Sequence, residues 1–241
     1  DGVRQRGRPT GRGGGRAEGG EGDRLRMCGD VELSGPGWKS VGVQRRDFDA
    51  GALGRKIYPL LTSVVVPRPI AWVSSRSPDG VDNLAPHSFF TVAGVDPGVI
   101  QFTSVRTKDS LRNVLATGEF VVCVCTEELI EKVNLTGTDY PPEISEFDAV
   151  GLTREPSLTV APFRVAESPV AIECRLVDTH TFGECTVVFG EVLHVAVDEA
   201  VLRDDRPAID LLKPVARLGA NEWSTIGHVS TRRRVPFSAS P

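Results

Sequence analysis

The chain has 241 residues, 40% of them hydrophobic and 25% charged, with a formal net charge of −4. That is apolar material for one sizeable core, and the length predicts a single domain. Charge is uneven: residues 1–26 hold seven Arg against four acids, so the remainder carries −7, which argues against a nucleic-acid-binding body with a basic face.

Residues 1–26 contain nine Gly and almost nothing apolar, too little to offset the entropy of ordering, and are predicted to be disordered together with a lead-in to about residue 50. Without interleaved aromatics this tail lacks the stacking groups of an RNA-binding segment. The only methionine, Met27, follows it directly, which suggests a natural translation start there. No apolar run reaches the ~18 residues of a transmembrane helix, and no signal-peptide core is present, so the expectation is a cytoplasmic protein with no membrane partner. Of the five cysteines, Cys28 lies beside the tail, while Cys123, Cys125, Cys174 and Cys185 sit in apolar runs. An odd number in such settings suggests reduced core thiols, and no Cys/His cluster accompanies Cys123 and Cys125, so no metal site is expected.

From Gly51 the pattern is strand-rich. LLTSVVV, residues 60–66, and RPIAWVSS, residues 68–75, read as extended, and the SPDG turn at 77–80 leads into VDNLAPHSFF as a hairpin. After VDPG, residues 99–105 read as another strand. RTKDSLRNVLATG has helix signals: Asp109 or Ser110 as cap, Leu111, Val114 and Leu115 as apolar stripe, and Gly118 as stop. EFVVCVC reads as a buried strand, and TEELIEKVNLTG as a helix from Thr126 to Gly137. A polar loop with a short helix near EISEFDAV precedes three long strands, at Leu158–Ala166, Pro169–His180 and Glu184–Val197. Antiparallel strands with a few inserted helices predict a mainly β, α+β barrel spanning residues 51–225, followed by a flexible basic tail over 226–241.

Two constellations carry chemistry. In NLAPHSFF, His87 stands beside Ser88, but no Gly-x-Ser-x-Gly elbow surrounds the serine, and neighbours on a strand face opposite ways, so a hydrolytic pair is disfavoured. At the strand-to-helix turn, Thr103, Ser104, Arg106, Lys108 and Ser110 place hydroxyls, cations and free backbone N–H groups within a few residues, as a phosphate monoester requires. Asp109 is the objection, and a plain capped surface helix is the alternative. No Gly-rich loop of either nucleotide-binding class is present.

RPIAWVSS with DGVDNLAPHSFF, GVIQFTSVRTKDSLRNVLATGEFVVCV, SEFDAVGLT and ESPVAIECRL together resemble the flavin reductase-like family of FMN-binding split barrels, from about Ile57 to Gly219. The resemblance implies an antiparallel, Greek-key-like split β-barrel and a homodimer holding FMN near its interface. It also implies hydride exchange with NADH or NADPH and electrons passed to a monooxygenase or other acceptor. Related possibilities are an FMN-holding electron carrier, a haem- or FAD-binding barrel, and a non-enzymatic binding domain. Carried over by motif, the ring-contacting edge falls on Asn83, Leu84, Ala85, Pro86, His87, Ser88 and Phe89, with Ser88 near the reactive ring edge, and the phosphate site on Thr103, Ser104, Lys108 and Ser110. Arg68 is a further candidate, for the cofactor phosphate or for bracing the hairpin, and Trp223 another, for covering the ring or the partner subunit. His87 stands where relatives often have Phe or Tyr, so no catalytic residue is assigned. Glu146 in SEF reads as a solvated loop carboxylate, with a place beside the pocket as the alternative.

Overall fold

The computed structural model describes residues 43–237. The expectations for residues 1–26, Met27 and Cys28 lie outside them. Contacts divide the chain after Asp47, and every element below belongs to the unit that starts at Phe48.

Helix α1 (Ile57–Val64) leads into the first hairpin, β1 (Ala71–Arg76) and β2 (Asp82–His87), then β3 (Phe90–Val95) and β4 (Gly98–Val105). Helix α2 (Asp109–Thr117), β5 (Glu119–Val124), α3 (Ile130–Leu135) and α4 (Glu146–Ala149) follow, before the long hairpin β6 (Val170–Phe182) and β7 (Cys185–Val197). These seven strands form one antiparallel sheet in the order β2-β1-β5-β6-β7-β4-β3. Its two edges, β2 and β3, are consecutive in the chain and separated only by Ser88 and Phe89. Edges tied by two residues must meet, so the sheet curls into a barrel. The Thr103 amide donates to the Phe89 carbonyl at 2.9 Å, extending the β3–β4 ladder by one step, but no ladder joins β2 to β3, and the barrel is split there.

The central strands are buried on both faces. Alternate residues of β1 and β5 feed two cores: Ala71, Val73, Phe120 and Val122 pack with Phe102, Val188 and the α2 residues Leu111 and Val114. Trp72, Val121 and Cys123 pack with Val133 of α3 and Phe147 of α4. Within the first core the Phe102 and Phe120 rings meet edge to face, with centroids 5.4 Å apart. Gly190 on β7 is required by this packing, because a Cβ there would lie 2.3 Å from Phe120 Cζ. Burial pushes the thiols of Cys123 and Cys174 up to about 12, and that of Cys125 well above its ordinary value, so these three are inert core groups.

The SPDG turn, the α2 stop at Gly118 (φ 75°) and the long hairpin fall where the sequence places them. Four segments differ. LLTSVVV lies largely in helix α1: Pro59 is in the first turn, where a missing N–H costs nothing, and the Thr62 and Ser63 hydroxyls bond back to Tyr58 and Pro59 carbonyls. VDNLAPHSFF is not one strand but β2 and the start of β3, broken at Ser88. Leu158–Ala166 is mostly a loop with a two-residue strand at Arg164–Val165, because Glu173 on β6 draws it inward. That buried carboxylate accepts the amides of Leu158 and Thr159 at 2.9 and 2.7 Å and pairs with Arg164. Burial alone would raise Glu173, but the Thr159 hydroxyl, the Leu158 amide and Arg164 hold it down to about 2. Finally, the α2 cap position is Lys108, with Asp109 and Ser110 as the first two helical residues.

Residues 225–237 form no helix or strand and are exposed. Among the described residues no helix is long and apolar enough to cross a membrane.

Candidate functional site

A cleft of about 390 Å³ opens at the barrel seam. Asn83, Ala85, Pro86 and His87 of β2 form one wall and Thr103 and Val105 of β4 another, with the Ser88–Phe89 link between them. The start of α2, the 136–140 loop, Tyr58 of α1 and Glu146 of α4 close the remaining sides. The Tyr58 and Phe89 rings stand 6.3 Å apart, giving one end of the cleft an aromatic rim.

The opposite end is cationic. β4 turns into α2 through Arg106, which takes a left-handed φ of 65°. The turn is pinned by the Arg106 amide on the Glu184 carbonyl at 2.7 Å and the Ser104 hydroxyl on the Arg106 carbonyl at 2.9 Å. A non-glycine residue in that region costs about 1–2 kcal/mol, and the two bonds hold it there. The geometry delivers Lys108 and the unsatisfied first N–H groups of α2 to the cleft. Lys108 pairs with Asp139 at 3.1 Å and Arg112 with Asp109, both at the surface. Surface pairs contribute about 0–1 kcal/mol, so either cation is readily redirected to a bound anion.

Behind this end lies a buried polar chain. Glu146 accepts Asn83 Nδ2 at 2.9 Å and the Leu84 amide at 2.8 Å. Asn83 Oδ1 accepts the Ser110 hydroxyl at 2.9 Å, and Ser110 Oγ lies 3.3 Å from His87 Nε2. A side branch runs from Asn113 through Ser75 to the same Asn83 oxygen. Burial lowers His87 to about 4, and Lys108 adds to the effect against the Thr103 carbonyl, so the imidazole is neutral near pH 7. Burial also raises Glu146, opposed by the hydrogen bonds it accepts.

Of the residues anticipated for cofactor contact, Asn83, Ala85, Pro86, His87, Ser88, Phe89, Thr103, Lys108 and Ser110 are brought together around the cleft. Four lie off it. Leu84 is a core side chain and Ser104 is buried beneath the turn. Arg68 is buried with its guanidinium on the carbonyls of Thr62, Val65 and Leu218, bracing α1. Trp223 packs against the second core, with Arg217 4.8 Å from its ring. His87 and Ser88 do not pair; the imidazole turns inward to Ser110 instead. Glu146 is not a solvated loop carboxylate: it is 6% exposed and anchors Asn83. It lines the cleft, as the alternative reading has it, and the partners that bury it, 62 and 63 positions away, leave no local sequence signal. Tyr58 and the 136–140 loop were also missed; the first follows from mistaking α1 for a strand.

A seven-stranded antiparallel barrel split at a seam, with a helix start and a cation facing the opening, is the architecture of a split barrel. Residues 63–212 match the family described as flavin reductase like domain, and the chain belongs to that family. An uncharacterized protein of Aquifex aeolicus is 40% identical over 176 residues, covering 70% of this chain and 90% of that protein. Among solved structures, nitrilotriacetate monooxygenase component B from Bacillus cereus superposes with a TM-score of 0.75 at 28% identity, over 79% of this chain and all of that one. The 2-nitrobenzoate 2-nitroreductase NbaA of Pseudomonas fluorescens superposes with a TM-score of 0.72 at 31% identity, over 81% of this chain and all of that one.

Proposed function

We propose that the chain is a flavin-dependent oxidoreductase that holds FMN in the seam cleft and takes hydride from NADH or NADPH. The observation that carries this is the cleft's polarity: aromatic and apolar at the Tyr58–Phe89 end, cationic at Lys108 and the α2 start. A flat apolar ring bearing a terminal phosphate fits that donor set, and the volume falls in the range of small-ligand pockets. Lys108, Arg112 and the first N–H groups of α2 would hold the phosphate. Pro86, Phe89 and Tyr58 would shield the ring from water, with the Ser88 hydroxyl beside it. Bound FMN supplies the hydride and electron chemistry. No cleft residue is required as a general acid: His87 is neutral and its Nε2 is engaged with Ser110.

A homodimer is part of the same reading. Tyr58, Leu61, Val64 and Val65 on and after α1, and Val92 and Val95 on β3, are more than 45% exposed, with Val95 at 94%. Apolar side chains flanking a cleft in this number favour a covering partner, and a second copy extends the cleft's rim. The Bacillus cereus neighbour is component B of a monooxygenase, which supports a separate protein as the electron acceptor.

Flavin fluorescence titrations with FMN and riboflavin test the cofactor. A charge-assisted phosphate contact is worth about 1.5–3 kcal/mol, so FMN should bind at least about tenfold more tightly than riboflavin, and Lys108→Ala should remove much of that preference. Equal affinity for both ligands in the native chain would refute the phosphate assignment. Anaerobic addition of NADH or NADPH should then bleach the flavin bands; an unchanged spectrum would leave an FMN carrier without reductase activity.

A further inference from the structure

The direction of the buried chain from Glu146 to His87 is set from one end. Glu146 is the fixed end. Its Oε2 takes the Leu84 amide proton at 2.8 Å, a donor that cannot reverse, and its Oε1 faces Asn83. A carboxylate only accepts, so Asn83 must present Nδ2 to it and Oδ1 to the other side. Two hydroxyls face Oδ1, Ser110 at 2.9 Å and Ser75 at 3.4 Å, and the single Ser110 proton is committed to it by the shorter contact. Ser110 Oγ is left with lone pairs toward His87 Nε2 at 3.3 Å, and the contact is a hydrogen bond only when Nε2 carries the ring proton. The neutral ring has one proton to place, and the Thr103 backbone carbonyl, which also favours a protonated ring, competes for it.

We infer that Glu146 is a positioning residue: acting through Asn83 and Ser110, its carboxylate selects the Nε2–H tautomer of His87 and leaves Nδ1 as an acceptor. His87 lines the cleft, so the selected tautomer fixes where this wall carries its ring proton. The assignment does not depend on which ligand occupies the cleft. The groups around the ring are accounted for: the Phe102 ring lies tilted against it with centroids 4.8 Å apart, Lys108 is the nearby cation, and Ser110 and Thr103 are the two acceptors.

One isosteric change should reverse the whole chain. In Glu146→Gln the amide oxygen must still accept the Leu84 N–H, so the NH₂ turns to Asn83. Asn83 then flips, Ser110 accepts from Asn83 and donates to Nε2, and the ring proton moves to Nδ1. Ser110→Ala reaches the same tautomer by another route, since the Thr103 carbonyl becomes the remaining acceptor.

The experiment is long-range ¹⁵N–¹H correlation spectroscopy of ¹⁵N-histidine protein without added ligand near pH 7.5, with His87→Phe identifying the residue's signals. The native chain should show a protonated Nε2 and an unprotonated Nδ1. Both single variants should exchange the two signals, and the double variant should match either one, because the second change has nothing left to transmit. A native ring protonated at Nδ1 overturns the inference without any variant being needed. A folded Glu146→Gln that keeps the native signals also overturns it, even if Ser110→Ala exchanges them, since control would then stop at Ser110. Failure of FMN to bind would refute the proposed function and leave this result standing.

Discussion

Replacing His87 with Phe should flatten part of the protein's stability profile in mild acid. The imidazole is 8% exposed, lies against Phe102, and is lowered by burial from 6.5 to about 4. Between those values the unfolded chain holds a proton that the folded chain refuses, so the site costs nothing above pH 6.5 and destabilises progressively as pH falls toward 4. At about 1.4 kcal/mol per unit, a shift of this size reaches a ceiling of roughly 3 kcal/mol, with about 2 kcal/mol already lost at pH 5. Glu146 works in the opposite direction, because a raised carboxylate is relieved by protonation; it is present in both proteins and cancels in the comparison. Urea unfolding at pH 7.5, 6 and 5 measures the effect. Relative to its own value at pH 7.5, the native chain should lose about 2 kcal/mol more than His87→Phe by pH 5. Parallel curves would mean that the folded imidazole accepts a proton freely and that its burial has been misread.

The Glu173–Arg164 pair and the apolar rim give two further tests. Arg164→Met strands a fully buried carboxylate and should cost about 3–5 kcal/mol by urea unfolding, most of it recovered in the Arg164→Met/Glu173→Gln double variant. Because Glu173 is held to about 2 against a usual 4.5, its contribution is complete above pH 4.5 and fades as pH falls toward 2. Val95→Lys, on the most exposed position of β3, should convert a dimer into monomer by light scattering; a native chain that already sedimented as a monomer would end the dimer proposal.

The family and barrel were legible because β-branched alternation, turn residues and the helix stop act locally: SPDG and Gly118 need only their neighbours to specify a turn and a left-handed cap. The anion-facing helix start was legible for the same reason. Segments whose shape depends on distant partners were not. The loop around Leu158 and Thr159 folds onto a carboxylate 14 and 15 residues ahead, and α1 ends in carbonyls held by the buried Arg68 guanidinium, which also reaches Leu218 150 positions away. Glu146 is the extreme case, an acid whose burial is justified only by Asn83 and Leu84 on another element.

That carboxylate also bears on solubility. β2 is an edge strand, and an unpaired row of N–H groups on a sheet edge is a template on which a foreign strand can dock. Glu146 occupies the Leu84 donor with a group that cannot continue a ladder. The acid is thus a stopper for the sheet: with α4 packed over β2, it meets the Leu84 donor with a group to which no further strand can add.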